Sequence, residues 1–177
     1  SEIVDFKYVS HEIYGGKKKL AGLPATYTEN EEEATSLDIT LHDSVMDTDL
    51  VLTYSVYEDY PVVTRSARLV QKGNQKIRLE NVMSAAVEFP DMDYEMIHLS
   101  GAWARERYVK TRKLEMGIQA VQSLAGTGSS SEQNPFIALK RPHTTEDTGE
   151  VFGFSFVYSG NFLAQVEVST YEMTRVM

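Results

Sequence analysis

Three pairs of carboxylates lie close together in the chain: Asp47 with Asp49, Glu58 with Asp59, and Asp91 with Asp93. A glycosidase needs two carboxyl groups about 5–5.5 Å apart for retention, or further apart for inversion. Each pair, however, falls in or beside a predicted turn, where Asp commonly accepts hydrogen bonds from its own backbone. A divalent cation at Asp-x-Asp would need several more oxygen ligands, and no such set is visible. His11, His42, His98 and His143 show no metal-ligand spacing. No His stands beside a Ser nucleophile in a strand–turn–helix setting, and Gly-x-Ser-x-Gly is absent. Gly126-Thr127-Gly128 lacks the third glycine and the following helix of a nucleotide loop. The expectation is a chain with no catalytic residue, no metal and no cofactor of its own.

One run has a different character. Gly101-Ala102-Trp103-Ala104-Arg105-Glu106-Arg107 holds the only tryptophan, between small residues and ahead of two arginines that straddle a glutamate. Trp with Arg is the composition of contact hot spots. The run also suits a sugar-stacking platform with polar arms, or a core Trp with an ion pair on the strand surface. Trp103, Arg105 and Arg107 are therefore candidates for an interface or a pocket rim. Asn134 and Phe136 join them, because the long loop 126–133 runs straight into a rigid Asn134-Pro135-Phe136, as if its end were docked.

The elements that must hold these residues are strands. Alternation with period two dominates. Leu37, Ile39 and Leu41 alternate with Asp38, Thr40 and His42. Leu50, Leu52, Tyr54 and Val56 alternate with residues of mixed polarity, and Val63, Ala67 and Leu69 with Thr64, Ser66 and Arg68. Over 77–89 the pattern puts Ile77, Leu79, Met83, Ala85, Val87 and Phe89 on a dry face, and Arg78, Glu80, Ser84 and Glu88 on a wet one. Phe152, Phe154, Phe156 and Tyr158 form one aromatic strand, and Phe162, Ala164, Val166 and Val168 the next, with Ser159-Gly160-Asn161 as a tight hairpin between them. Polar turns at 58–61 and 72–75 and long loops at 15–33 and 126–133 complete the reading. The Glu-rich stretch 30–35 reads as a solvated loop. One wet and one dry face mark antiparallel sheets, so the fold class is all-β, a sandwich or barrel, read as one domain over 1–177.

Composition narrows the partners. The chain has 26 acidic and 17 basic residues, a formal net charge of −9. Nucleic acid needs a cationic face, and Lys17-Lys18-Lys19 is too short to make one. No apolar run is long enough for a membrane helix. Absence of cysteine excludes disulfides and agrees with a reducing cytoplasm. The chain opens and closes in mid-pattern, which reads as a segment of something longer.

Several strings resemble one family. They are Val4-Asp5-Phe6-Lys7-Tyr8-Val9-Ser10-His11, Gly22-Leu23-Pro24-Ala25-Thr26-Tyr27, Thr64-Arg65-Ser66-Ala67-Arg68, and Asp93-Tyr94-Glu95-Met96 with His98-Leu99-Ser100 leading into the Trp103 run. Asn134-Pro135-Phe136, Gly149-Glu150-Val151-Phe152-Gly153-Phe154-Ser155 and Tyr158-Ser159-Gly160-Asn161-Phe162-Leu163-Ala164 follow in order. Together they resemble the amino-terminal domain of bacterial α-galactosidases of glycoside hydrolase family thirty-six. The resemblance implies a β-supersandwich like galactose mutarotase, followed by a (β/α)₈ barrel. It implies hydrolysis of terminal α-galactosides of the melibiose and raffinose type with retention, without metal or cofactor. Both catalytic aspartates belong to the barrel, so no catalytic role transfers to a residue here and this chain alone is expected to be inactive. The expected role is to brace the barrel, help form a homo-oligomer interface and restrict the pocket mouth. The rival is an independent galactoside-binding module; stand-alone mutarotase activity would need an acid and a base in one pocket, and the histidines offer no such pair.

Overall fold

The computed structural model describes residues 4–126, 131–158 and 160–177, and among them there are twelve strands and no helix. The chain divides into two compact units, Ser1–Ala21 with Thr26–Ala85, and Gly22–Ala25 with Ala86–Met177.

The first unit is one antiparallel sheet of four strands in chain order: β1 (Lys7–Gly15), β2 (Ala34–Asp43), β3 (Thr48–Tyr57) and β4 (Val63–Gln71). The alternation read from the sequence sets its faces. Leu37, Ile39 and Leu41 stand opposite Tyr54, Leu52 and Leu50, which in turn stand opposite Arg65, Ala67 and Leu69. The other face is hydroxyl-rich. Ser36 and Ser55 are buried with their hydroxyls 2.7 Å apart, and Ser36 Oγ donates to the Gly16 carbonyl. Asp38 lies on this face and accepts from Thr53 Oγ1 (2.6 Å), Lys18 Nζ (3.0 Å) and the Tyr14 hydroxyl (3.2 Å). Burial pushes the Asp38 carboxyl up, but those bonds outweigh it and hold the group below its usual range. The unit's fully buried side chains are small or polar, whereas the leucines of its apolar face are only half-buried.

Carboxylates of two of the three pairs, Asp49 and Asp91, are held in hydrogen-bonded structure. Asp43 caps the β2–β3 turn through the Val45 and Met46 amides, and the Asp47 carbonyl accepts from Lys72 N and Gly73 N. Asp49 is held by His42 Nδ1 (2.8 Å) and Lys72 Nζ (3.2 Å). Asp91 accepts from the Asp93 amide and binds both terminal nitrogens of Arg141, whose guanidinium lies 3.9 Å from the Tyr94 ring centroid. The Arg141 contact, foremost, keeps the Asp91 carboxyl below its ordinary value.

The second unit is a two-layer sandwich. One sheet has the order β10 (Val151–Ser155), β9 (Gln133–Lys140), β6 (Glu95–Ala102), β7 (Arg105–Lys113); the other runs β5 (Val87–Phe89), β12 (Thr174–Val176), β11 (Phe162–Val168), β8 (Gly117–Ser123). Both are antiparallel. Met96, Ile137 and Leu139 from the first sheet and Val121, Phe162, Val166 and Val168 from the second bury their side chains between the layers, with Phe89, Tyr94 and Leu114 closing the core. Phe89 meets Tyr94 and Phe152 with ring centroids 5.3 and 5.0 Å apart.

Two expectations from the alternation fail. The stretch 77–89 is a strand only at Val87–Phe89; Leu79 and Val87 are exposed, Ile77, Met83 and Ala85 half-buried, and Phe89 alone is buried. The pattern itself carries the reason. Asn81 falls on the intended dry face between Leu79 and Met83, and among the described residues no strand pairs its main chain with residues 77–86, so no ladder forms. The hairpin at 159–161 is also corrected. The β10 strand pairs with β9 while β11 pairs with β8 and β12, so the two aromatic-rich stretches lie in opposite layers. Their connection crosses from one layer to the other; Ser159 itself lies outside the described residues.

Candidate docking surface

The β6–β7 hairpin turns through Trp103 and Ala104. Ala104 (φ 63°) and Arg107 (φ 62°) both sit in the left-handed region, which costs a non-glycine residue roughly 1–2 kcal/mol. The Ala104 amide donates to Glu106 Oε1 at 2.9 Å, so the glutamate between the two arginines closes the turn rather than pairing with them. At Gly101 a Cβ would run into the Arg105 carbonyl oxygen and Glu106 Cα, so glycine is required where the two strands press together beside the bulge at Ser100–Ala102. The Gly101 amide reaches across to the Glu132 carbonyl at 3.1 Å.

This geometry leaves Trp103 86% exposed, and core packing is ruled out for it. Beside it is an open cleft of about 320 Å³ lined by Gly101, Ala102, Arg105 and Tyr108. Arg105 and Arg107 are exposed as well.

The other predicted segment lies next to it. Gln133 opens β9 opposite Ser100 of β6, which brings Asn134 and Phe136 to the same end of the sandwich as Trp103. Asn134 is buried and Phe136 half-buried, so these two support the surface from beneath. Of loop 126–133, residues 127–130 lie outside the described residues.

The sequence reading missed Leu124 and residues 156–158. Phe156 N donates to the Pro135 carbonyl, then Phe156, Val157 and Tyr158 leave the sheet exposed, with the Phe156 and Tyr158 rings 5.5 Å apart. Leu124 is exposed just past the end of β8, near where Gly126 N donates to Asn161 Oδ1 at 2.7 Å. A signal existed: three consecutive apolar residues at 156–158 cannot alternate between faces, and such a run fits a strand poorly. The ends of β6, β8 and β10 and the starts of β7, β9 and β11 thus assemble one surface rich in aromatics and cations.

Its floor is polar. On β6 the core-facing row passes from Met96 to His98 and Ser100, both buried. Arg112 Nε donates to His98 Nε2 at 3.0 Å, while His98 Nδ1 is buried with no hydrogen-bond partner among the described residues. Burial first, then the Arg112 guanidinium and, less strongly, Lys110 hold the imidazole below its ordinary value against the opposing pull of Gln133. The folded state therefore binds fewer protons than the unfolded one below the ordinary histidine value of 6.5. His98 contributes stability that is fully present above pH 6.5 and declines as the pH falls toward its depressed folded value. Unfolding measured between pH 7.5 and 5 should show this decline, at a slope of up to about 1.4 kcal/mol per pH unit for one proton. His98→Gln should flatten that slope; an unchanged slope would show that another group carries it.

The described residues contain no cluster of three or more metal-ligating side chains. The model of the glycosyl hydrolase family 36 N-terminal domain matches residues 1–177, the entire chain. The chain belongs to that family. It is 50% identical over 176 residues to alpha-galactosidase AgaA of Geobacillus stearothermophilus, covering 99% of this chain and 24% of that enzyme. Alpha-galactosidase C of Emericella nidulans is 41% identical over 175 residues, again 99% of this chain and 23% of the relative. The crystal structure of AgaA superimposes with a TM-score of 0.96 over 99% of this chain and 24% of that one, and the alpha-galactosidase of Lactobacillus brevis with 0.95 at 38% identity and the same coverage. A variant of AgaA has been solved in complex with raffinose. This family 36 chain therefore spans about a quarter of the length of its relatives, and it corresponds to their N-terminal region.

Proposed function

We propose that this family 36 chain is the non-catalytic N-terminal β-sandwich segment, a single domain over 1–177, of a retaining α-galactosidase acting on terminal α-galactosides of the melibiose and raffinose type in the cytoplasm. Its Trp103 surface braces the barrel and narrows the pocket mouth. The exposed Trp103, in a turn whose Ala104 is held in the left-handed region, carries the reading. An indole left in water loses the burial that normally stabilises it, and a strained turn persists where the surroundings or the function require it. Arg105 and Arg107 supply charged arms on either side, Asn134 and Phe136 stiffen the floor, and 156–158 extends the apolar area. Relatives that are α-galactosidases, one of them crystallised with raffinose, support the substrate class.

The cleft beside Trp103 favours a second reading, direct contact with galactoside, and one experiment separates the two. In the full-length enzyme, Trp103→Ala should lower the melting temperature and loosen the domain against the barrel, with a loss of about 2 kcal/mol as for a central hot spot. Calorimetry and limited proteolysis of the linker read this. Unchanged melting with a large rise in KM would replace docking by sugar contact.

A further inference from the structure

β7 is the free edge of its sheet, and all nine of its residues are exposed. Five of them are cations, Arg105, Arg107, Lys110, Arg112 and Lys113, against the single carboxylate Glu106. Glu106 is occupied by the Ala104 amide, and among the described residues none of the five cations has a carboxylate partner. One lysine suffices to protect a sheet edge from unwanted pairing. Five like charges in nine residues repel one another, and that repulsion is relieved by an acidic surface. Tyr108 and Val109 are exposed among them, so the strand carries the mixture of Tyr, Arg and apolar side chains found at protein interfaces.

The first unit carries the complement. The Glu58 amide donates to the Glu33 carbonyl at 3.0 Å, which sets the turn after β3 beside the loop before β2. Glu29, Glu31, Glu32, Glu58 and Asp59 are all exposed there, and among the described residues none of them has a cationic partner. Tyr27 and Tyr60 are exposed beside these carboxylates, and the Tyr57 hydroxyl donates to the Tyr27 carbonyl. Each chain therefore presents an unneutralised basic strand and an unneutralised acidic pair of turns, both with exposed tyrosines.

We infer that β7 of one copy docks on the acidic turns at 29–33 and 58–60 of a second copy, and that this contact builds the oligomer. The inference rests on the reading of the parent enzyme as a homo-oligomer; it shares Arg105 and Arg107 with the Trp103 surface, and Lys110, Arg112 and Lys113 lie beyond it. Complementary charge of this kind sets partner choice and register as well as association rate.

The test is a charge swap in the full-length enzyme, using Lys110 and Lys113 so that the hairpin tip is untouched. One variant carries Lys110→Glu with Lys113→Glu, and a second carries Glu31→Lys with Glu32→Lys. Sedimentation velocity over a concentration series should show self-association of each variant weakened about tenfold or more relative to the parent, with unchanged melting of the dissociated species. Mixing the two variants should restore assembly, since each then offers the surface the other lost. A parent that sediments as a monomer at all concentrations, or an assembly indifferent to both reversals, overturns the inference. A β7 reversal that lowers the melting temperature of the monomer also overturns it, because the chain's own barrel would then cover the strand. Proteolysis of Trp103→Ala reads barrel docking separately, so failure of one proposal leaves the other measurable.

Discussion

Leu139→Ala should lower the unfolding free energy by about 2–5 kcal/mol, the range for removing a fully buried leucine and leaving a cavity. Leu139 is 0% exposed on the central strand β9, with Met96 opposite it on β6 and Phe152 opposite it on β10. Both neighbouring strands are pinned by main-chain bonds, so the site cannot collapse to fill the gap. Ile39→Ala in β2 should cost far less, roughly 1 kcal/mol, because Ile39 is only half-buried and water already reaches part of what is removed. Urea denaturation followed by circular dichroism gives both values. Equal losses would mean that the half-buried face of the first sheet is as important to folding as the core of the sandwich.

Gly101→Val should have the next largest effect. Any Cβ at position 101 is driven against the Arg105 carbonyl oxygen and Glu106 Cα, both of them backbone that cannot rotate away. The strands have to separate at the bulge, the Ala104 amide loses its alignment with Glu106, and Trp103 moves. Overpacking of this sort costs about 1–3 kcal/mol. Gly153→Ala in β10 is the control, since its Cβ would meet only the Phe136 ring at 3.8 Å, an ordinary contact. Melting of the isolated chain should separate the two variants clearly. In the full-length enzyme Gly101→Val should also reproduce the docking defect of Trp103→Ala. Stability lost in the isolated chain with docking intact in the enzyme would show that the shape of the turn matters to folding alone.

The two substitutions mark different depths of legibility. Gly101 stands out in the sequence as a small residue beside the only tryptophan, but the reason it must be glycine is the approach of Arg105 across a hairpin. Leu139 looks no different from Leu163, which pairs with Gln122 of β8 on an inner strand of its sheet and is nevertheless exposed. Position within the stack of layers separates them.

Period-two alternation, turn residues and the absence of helical periodicity determine the all-β class, and they place β2, β3, β4 and β11 closely, because each depends on neighbours within a few residues. The family is likewise legible in continuous strings such as the Trp103 run. Only the tertiary structure decides which strands pair, that β10 and β11 part into opposite layers, that 77–86 forms no ladder, and that Trp103, Leu124 and 156–158 share one end of the sandwich. A strand's own residues specify which side chains point together. Its hydrogen-bond partners come from distant parts of the chain, and whether a given face is dry depends on what those parts lay over it.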